Sequence, residues 1–528
     1  MSPSPSPAPN PTSPAAASTM ASMPVADPSA PALAALAALW AAAGLPAEAL
    51  AHIEVPGNTP VLPSSFAVAT AAQASLGAAA LAAAELWQLR TGQRQAVRVD
   101  RTHATLDCSG WFSIDGRVPD PWDKLSGLYP CGKAIGRPGW LRIHANFAHH
   151  RDGALHLLGL PAGPGTPRDA VAQALRGWSA DAFEHAAADA GLVVAAARSF
   201  AQWDAHPQAL ALATLPLVAI TPIGAPGSAP AAWPALTWSA LAPSQRPLAG
   251  LRVLDLTRIL AGPVAGRCLA AYGAEVLMVN GPHLPNIESI ADLSRGKRSS
   301  LIDLRTDAGR AQLGALASGA DVFLQGYRPG GLAARGFSAD ALAARRPGIV
   351  VASLSAYGQS EPPGPWAGRR GFDSLVQTAT GFNLAEAEAA GSPTPKALPM
   401  QILDYATGHL LAFGIQAALW RRATQGGSWQ VQVSLAGVGL WLRSLGRVPN
   451  GLLATKPDRA PLLEDTVCGF GGTESARQMA TLRAVRHAAQ FSVTPARFDR
   501  PSMPPGSDAP AWLGDAAWPP TAPAGPPV

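Results

Sequence analysis

Asp404 stands alone as an acid. Its nearest carboxylates along the chain are Glu388 and Asp458. It opens an apolar, small-residue stretch, Leu403-Asp404-Tyr-Ala-Thr-Gly408-His-Leu-Leu. An acid at the start of such a helix either caps it or acts chemically, as a carboxylate nucleophile or proton carrier. His409, five residues later, is expected to pack inside the helix, with an acid–base role as the alternative. Asp373 reads as an N-cap or an arginine partner. The basic turn Arg295-Gly-Lys297-Arg298 reads as a solvated loop or an anion contact. His144, His149 and His150 lack a Cys or carboxylate at metal-ligand spacing. They are expected on a surface helix and loop, and no metal is expected.

The elements around these residues follow from composition and pattern. The chain has 528 residues, enough for two or three domains with sizeable cores. Its formal charge of +5, on 40 basic and 35 acidic residues without a basic block, gives no support to a nucleic-acid role. Four scattered cysteines argue for a reducing, cytoplasmic compartment and against disulfides or a zinc site. The uncharged run 66–84 is mostly alanine, too weakly apolar for a membrane span, and is expected as a buried helix.

Residues 1–30, rich in Pro, Ser and Ala, are expected to be disordered. Residues 31–105 read as helical, 106–221 as a small α+β unit, and 222–246 as a Pro/Ala linker. Residues 247–450 alternate strands (251–256, 274–279, 300–304, 321–324 and 348–354) with helices (307–318 and 338–345). That alternation predicts a doubly wound parallel sheet. Ligands gather at the carboxyl ends of its strands, which directs attention to the turns 257–263, 325–331 and 355–359. In the first of these, Gly262 suits a tight turn and Pro263 a first helical position. Residues 451–528 read as a C-terminal extension, Pro-rich and extended after about 498. One internal repeat stands out: Leu86-Trp-Gln-Leu-Arg-Thr-Gly92 matches Leu419-Trp-Arg-Arg-Ala-Thr-Gln-Gly-Gly427. Counting back from the shared Trp, Asp404 falls opposite Ala71.

Several motifs in order resemble the family III CoA-transferases. They are Gly250-Leu-Arg-Val-Leu-Asp-Leu-Thr257, Ala261-Gly-Pro263, Ser294-Arg-Gly-Lys-Arg-Ser299, Ala320-Asp-Val-Phe-Leu-Gln-Gly-Tyr327-Arg-Pro-Gly330, Gly371-Phe-Asp373 and Asp404. The likeness covers about 200 residues. Stretches 129–144 and 183–208, including Ala205-His-Pro-Gln208, resemble that family's small domain. The resemblance implies an α/β protein: a doubly wound parallel-sheet large domain of the family III CoA-transferase fold plus a smaller α+β domain, in rearranged tandem order. Together the two units hold roughly one full set of parts, which points to one composite active site.

By the same resemblance the activity is transfer of CoA between an acyl-CoA and a carboxylic acid. Asp404 is the nucleophile, through an aspartyl anhydride and thioester. CoA or acyl-CoA is substrate, with no permanently bound cofactor. Arg258, Ile259, Leu260 and Ala261 line the pantetheine path. Arg295, Lys297, Arg298, Tyr327, Arg328 and Arg335 contact phosphate or adenine, with Gly326 where the family often carries Asn. Tyr357 and Gln359 face the acyl group. The expected assembly is a homodimer or an intramolecular pseudo-dimer, without nucleic acid or membrane. The rivals are an α-methylacyl-CoA racemase, disfavoured because Gly371-Phe372-Asp373 lacks the paired His, and a non-catalytic CoA-binding or regulatory descendant.

Overall fold

Apolar, β-branched runs between residues 252 and 434 become strands buried on both faces, as a sheet covered by helices requires. The computed structural model of the protein describes residues 1, 30–224, 245–473 and 476–515. The expected disordered start, most of the linker and the final Pro-rich stretch lie outside the described residues.

The main sheet has seven strands: β1 (Ala219–Pro222), β2 (Arg252–Leu256), β3 (Glu275–Asn280), β4 (Arg298–Leu301), β5 (Val322–Gln325), β6 (Val350–Ser355) and β7 (Trp429–Ser434), in the spatial order β4-β3-β2-β5-β6-β7-β1. Strands β2 to β7 pair in parallel. Strand β1, contributed by the first half of the chain, runs antiparallel along the β7 edge. From β2 the chain winds outward through β3 and β4, then returns to β5 on the other side. This is the predicted doubly wound α/β arrangement, with its switch point between β2 and β5.

Four helices place the site: α1 (Val68–Thr91), α2 (Ala261–Ala271), α3 (Asp373–Ala379) and α4 (Ile402–Gln425). Helices α1 and α4, each 24 residues long, pack against one another. Gln416 Nε2 of α4 donates to Ala79 O of α1 at 3.0 Å. Residues 68–87 of α1 are buried all round, as expected for a core helix. No helix among the described residues is long and apolar enough to cross a membrane.

The first half also carries a small α+β unit. Strands Gly127–Cys131, Gly139–Ile143 and Val194–Ala196 make an antiparallel sheet, packed with three helices around Leu141, Leu175 and Phe183. The C-terminal stretch differs from its sequence reading. Leu463–Thr473 and Ala476–Val485 form a hairpin, extended by Phe112–Ile114 of the first half. Ala489–Phe491 pairs with Val97–Val99. Residues after 498, expected as an extended tail, fold back on the main sheet. Asp508 accepts the Ser299 N–H at 2.9 Å, and Trp512 is buried and donates to Leu316 O at 3.0 Å.

One buried ionic chain ties these parts together. Arg267 of α2 donates to Asp107 of the first half and to Asp292 of the large domain, each at 2.7 Å. Asp292 pairs with Arg295 at 2.6 Å, and Arg295 reaches Glu464 of the C-terminal hairpin at 2.9 Å. The second oxygen of Asp107 accepts the Ala488 N–H at 3.2 Å. Burial opposes the charge on Asp107, but the Arg267 guanidinium together with the nearby His487, His409 and His103 outweighs it and holds the carboxyl down at about 2. Removing one partner of a buried pair leaves an uncompensated charge, at about 3–5 kcal/mol. Arg267→Leu is therefore expected to destabilise by about that amount. The readout is a lower urea midpoint at unchanged slope.

Candidate active site

At the β2/β5 switch point the strand ends open into a cavity of about 360 Å³. Its floor comes from the turns after β2 (256 and 258–262) and β5 (326–329), from Leu354 and Ala356 at the end of β6, and from Leu435 just after β7. Asp404 and Phe372 enter from one wall. Phe147, His149 and His150, from the loop and helix after Gly139–Ile143, close over it from the first half.

The turn after β2 is shaped by close approach and strain. The left-handed residue is Ile259, at φ +75°, costly for a β-branched side chain. The sequence had assigned the tight turn to Gly262. That glycine instead permits contact, since a Cβ there would lie 2.3 Å from Thr257 Cβ. Pro263 is the third residue of α2, not the first. Asp255 accepts from the Thr257 backbone N–H at 2.9 Å and from the Lys297 ammonium at 2.9 Å. Lys297 also donates to Pro263 O at 2.9 Å, bracing both ends of the loop from below. On α4, one turn after Asp404, a Cβ on Gly408 would lie 2.5 Å from Ala261 O. Glycine lets the two helices cross at the point that brings Asp404 beside the loop.

Asp404 is not an N-cap. Gln401 holds that position without a side-chain cap, and Asp404 is the third helical residue. Its carboxylate accepts no hydrogen bond from the described residues. The capping is done by Asp373, at the first position of α3. Its Oδ2 accepts the Asp404 N–H at 2.9 Å, and its carboxylate also receives the Leu403 N–H and the Gln377 amide. Both acids are buried, 7% and 0% exposed for Asp404 and Asp373. Burial pushes Asp373 up to about 7, against the pull of those donors and of Arg142. Burial and then the Asp373 charge push Asp404 well above the ordinary carboxylate range. Each buried charge opposes the ionisation of the other. Because every N–H donor serves Asp373, the charge resides there and the proton on Asp404.

The predicted ligand contacts divide. Arg258, Ile259, Leu260, Ala261, Tyr327 and Arg328 all line the cavity with Asp404. Arg258 donates to Pro285 O. Arg328 lies exposed at the mouth. The basic turn is neither a solvated loop nor part of the cavity. Arg295 is held by Asp292 and Glu464, Lys297 by Asp255, and Arg298 by Asp508 and Glu275. All three are buried inside ion pairs. Arg335 is exposed and donates to Gly331 O at 2.7 Å, away from the cavity lining. Tyr357 is buried against Trp366 and Trp203. Gln359 bonds Gln432 at 3.2 Å and lines a separate cavity of about 310 Å³. His409 is packed in the helix as expected, 1% exposed and lowered by burial to about 4.

Sequence reasoning missed the cavity's imidazoles. His149 is exposed on the helix Ala148–Leu157, in line with the surface helix expected, while His150 is buried; both line the site, and His150 is pushed down to about 3 by burial, His149 and the nearby Arg370 and Arg258. His144 stacks on Phe372 with ring centroids 4.0 Å apart. Arg369 and Arg370, beside the noted Gly371-Phe372-Asp373, also reach the cavity. The clustering of His144, His149 and His150 was the available signal, and only the tertiary fold carries it to Asp404.

Residues 248–461 match the profile described as CoA-transferase family III. The chain is 36% identical over 217 residues to a probable fatty acyl-CoA transferase, Rv3272, of Mycobacterium tuberculosis, covering 38% of this chain and 53% of that protein. It is 32% identical over 347 residues to an acyl-CoA transferase of Gibberella moniliformis, covering 64% of this chain and 55% of that one. A succinate–glutarate CoA-transferase of Agrobacterium fabrum is 34% identical over 212 residues, 36% of this chain and 52% of its own. The chain thus spans about half the length of these relatives. A crystal structure of Rv3272 aligns at 36% identity over 38% of this chain and 57% of that one, with a TM-score of 0.35.

The raised Asp404 carboxyl has a stability consequence of definite sign. A carboxyl whose folded-state pKa is raised contributes stability that is lost as pH rises through that value. Asp404→Asn, which keeps the volume and removes the ionisation, is expected to raise Tm at pH 9 relative to the native protein. At pH 4 the two should melt together. Paired thermal melts at the two pH values check this.

Proposed function

From the match of residues 248–461 to CoA-transferase family III, we propose that this protein moves CoA from an acyl-CoA thioester to a carboxylic acid. Asp404 is the nucleophile. The observation that carries the reading is a buried carboxylate, free of hydrogen-bond donors, facing a switch-point cavity lined by Arg258, Arg328 and Arg370, which have no carboxylate partner among the described residues.

The Asp404 carboxylate attacks the thioester carbonyl carbon and expels CoA thiolate, leaving a mixed anhydride. The thiolate attacks the aspartyl carbonyl of that anhydride. The donor acid departs and an aspartyl–CoA thioester remains. The acceptor carboxylate attacks this thioester, and thiolate returns to the acceptor's acyl carbon, freeing Asp404. Donors denied to Asp404 leave its lone pairs unsolvated and reactive. The raised basicity strengthens the nucleophile once the proton has left. Arg258, Arg328 and Tyr327 are assigned to CoA, with the guanidinium groups on phosphate and the ring on adenine. The small domain of the first half closes the site over the large domain of the second, so one chain acts as a pseudo-dimer of rearranged tandem units.

Proton transfer at the α-carbon of an acyl-CoA is the second reading. His149 and His150 place imidazoles in the cavity that the Gly371-Phe372-Asp373 motif lacks. Exchange of the α-hydrogen with deuterium, without any acceptor acid, identifies that chemistry.

Incubation with an acyl-CoA panel and hydroxylamine is expected to leave a hydroxamate on Asp404, detected by mass spectrometry, and none in Asp404→Asn. No trapped Asp404 with any acyl-CoA overturns the transferase reading. Arg328→Ala should raise KM for acyl-CoA about tenfold at unchanged kcat, the loss of one charge-assisted contact. The pH profile of kcat/KM should rise as Asp404 loses its proton. Asp373→Asn removes the like charge, lowers the Asp404 pKa, and moves that rise to lower pH.

A further inference from the structure

Helix α3 does more than flank the cavity. Asp373 and Gln377 of α3, and Asn383 of the following helix Phe382–Ala389, are each at most 1% exposed, and all three bind the segment that delivers Asp404. Asn383 accepts the Lys396 N–H through its backbone carbonyl at 2.9 Å and donates from its amide to Lys396 O at 3.2 Å. Gln377 accepts the Leu398 N–H at 3.0 Å and donates to Met400 O at 3.4 Å. Asp373 takes the N–H groups of Leu403 and Asp404. Five backbone positions between Lys396 and Asp404 are therefore held by three side chains that are themselves joined, Gln377 to both Asp373 and Asn383. A buried network with its donors matched in this way fixes one geometry.

The first half of the chain reaches the same point. Strand Gly139–Ile143 packs on α3, and its Arg142 is 7% exposed. The Arg142 guanidinium lies over the Trp122 ring at 5.1 Å, and its Nε has no hydrogen-bond partner. It pairs with no carboxylate among the described residues, and Asp373 is the acid whose charge it feels. A buried arginine without a direct partner is costly to keep.

We propose that Asp373 is a positioning residue that sets the Asp404 carboxylate at its working depth by capping α4, and that Arg142 of the first half is the cation that offsets its charge. This rests on the transferase reading for its kinetic arm only.

Two readouts on the full-length protein test it. In kinetics, Asp373→Ala is expected to lower kcat about 100-fold, the cost of a displacement near 1 Å, with KM for acyl-CoA within about twofold. Asp373→Asn keeps one acceptor oxygen for the Leu403 and Asp404 N–H groups. Its loss should stay below about tenfold. Arg142→Met should lower kcat, and the double variant Arg142→Met/Asp373→Asn should lose less than the product of the single losses. The second readout needs no turnover: the rate at which a water-soluble carbodiimide with glycinamide labels Asp404, followed by mass spectrometry. Labelling should change at least about fivefold in Asp373→Ala and less in Asp373→Asn.

Equal effects of Ala and Asn at position 373, or multiplicative losses in the double variant, overturn the proposal. If Asp373→Ala does not fold, Gln377→Leu, which frees one Asp373 oxygen and the Leu398 N–H, takes its place with the same expected kcat-only loss. If the native protein turns over no acyl-CoA, the transferase reading fails, while the labelling ratio still decides whether Asp373 positions Asp404.

Discussion

The Arg267 guanidinium, buried between Asp107 and Asp292, constrains three distant parts of the chain at once. A guanidinium presents its N–H groups in a rigid plane, so its two acids must arrive from fixed directions. One is carried by the first half and the other by the large domain, and through Arg295 and Glu464 the C-terminal hairpin joins them. Replacing such a cluster by apolar groups could be as stable. What the charges add is an address. Arg267 sits on α2, whose first turn is part of the cavity wall. Holding that helix against the first half also holds the floor of the site relative to its roof.

The large domain was readable because its signals are local. Buried runs separated by helical stretches located β2, β3, β5 and β6 within a residue or two, and helix 307–318 coincides with the observed Asp307–Ser318. Asp404 was conspicuous because acids are absent around it. The basic turn misled for a physical reason. Charge on a loop is usually solvated or ligand-bound, and nothing in Arg295-Gly-Lys297-Arg298 reveals that Asp255, Asp292, Glu275, Glu464 and Asp508 converge on it from across the fold. The imidazoles at 149 and 150 were hidden for the same reason, since their relation to Asp404 exists only after the small unit closes on the large one. The C-terminal hairpin was hidden by its composition. Its strands are short of large apolar residues and find their partner in Phe112–Ile114.

The site itself separates two demands that a single acid cannot meet. A carboxylate at a helix N-terminus that satisfies the backbone donors is stabilised and unreactive; one that leaves them bare costs the helix its start. Asp373 takes the donors, and Asp404 is left poor in them on the same turn. The charged partner makes the neighbour more basic, so structural and chemical roles are divided between two adjacent groups of the same type.

The long pairing of α1 with α4 has a consequence for how the chain comes into being. Residues 68–87 form a helix with no polar face, covered in part by elements close in sequence and in part by α4, whose Gln416 contact with Ala79 lies 337 residues downstream. At ribosomal rates of about 5–20 residues per second, that helix is made roughly 20–70 s before its partner emerges. Through that interval it has no native surface to bury against on α4. The face of α1 turned toward α4 is thus completed only once the helix that carries Asp404 has been made.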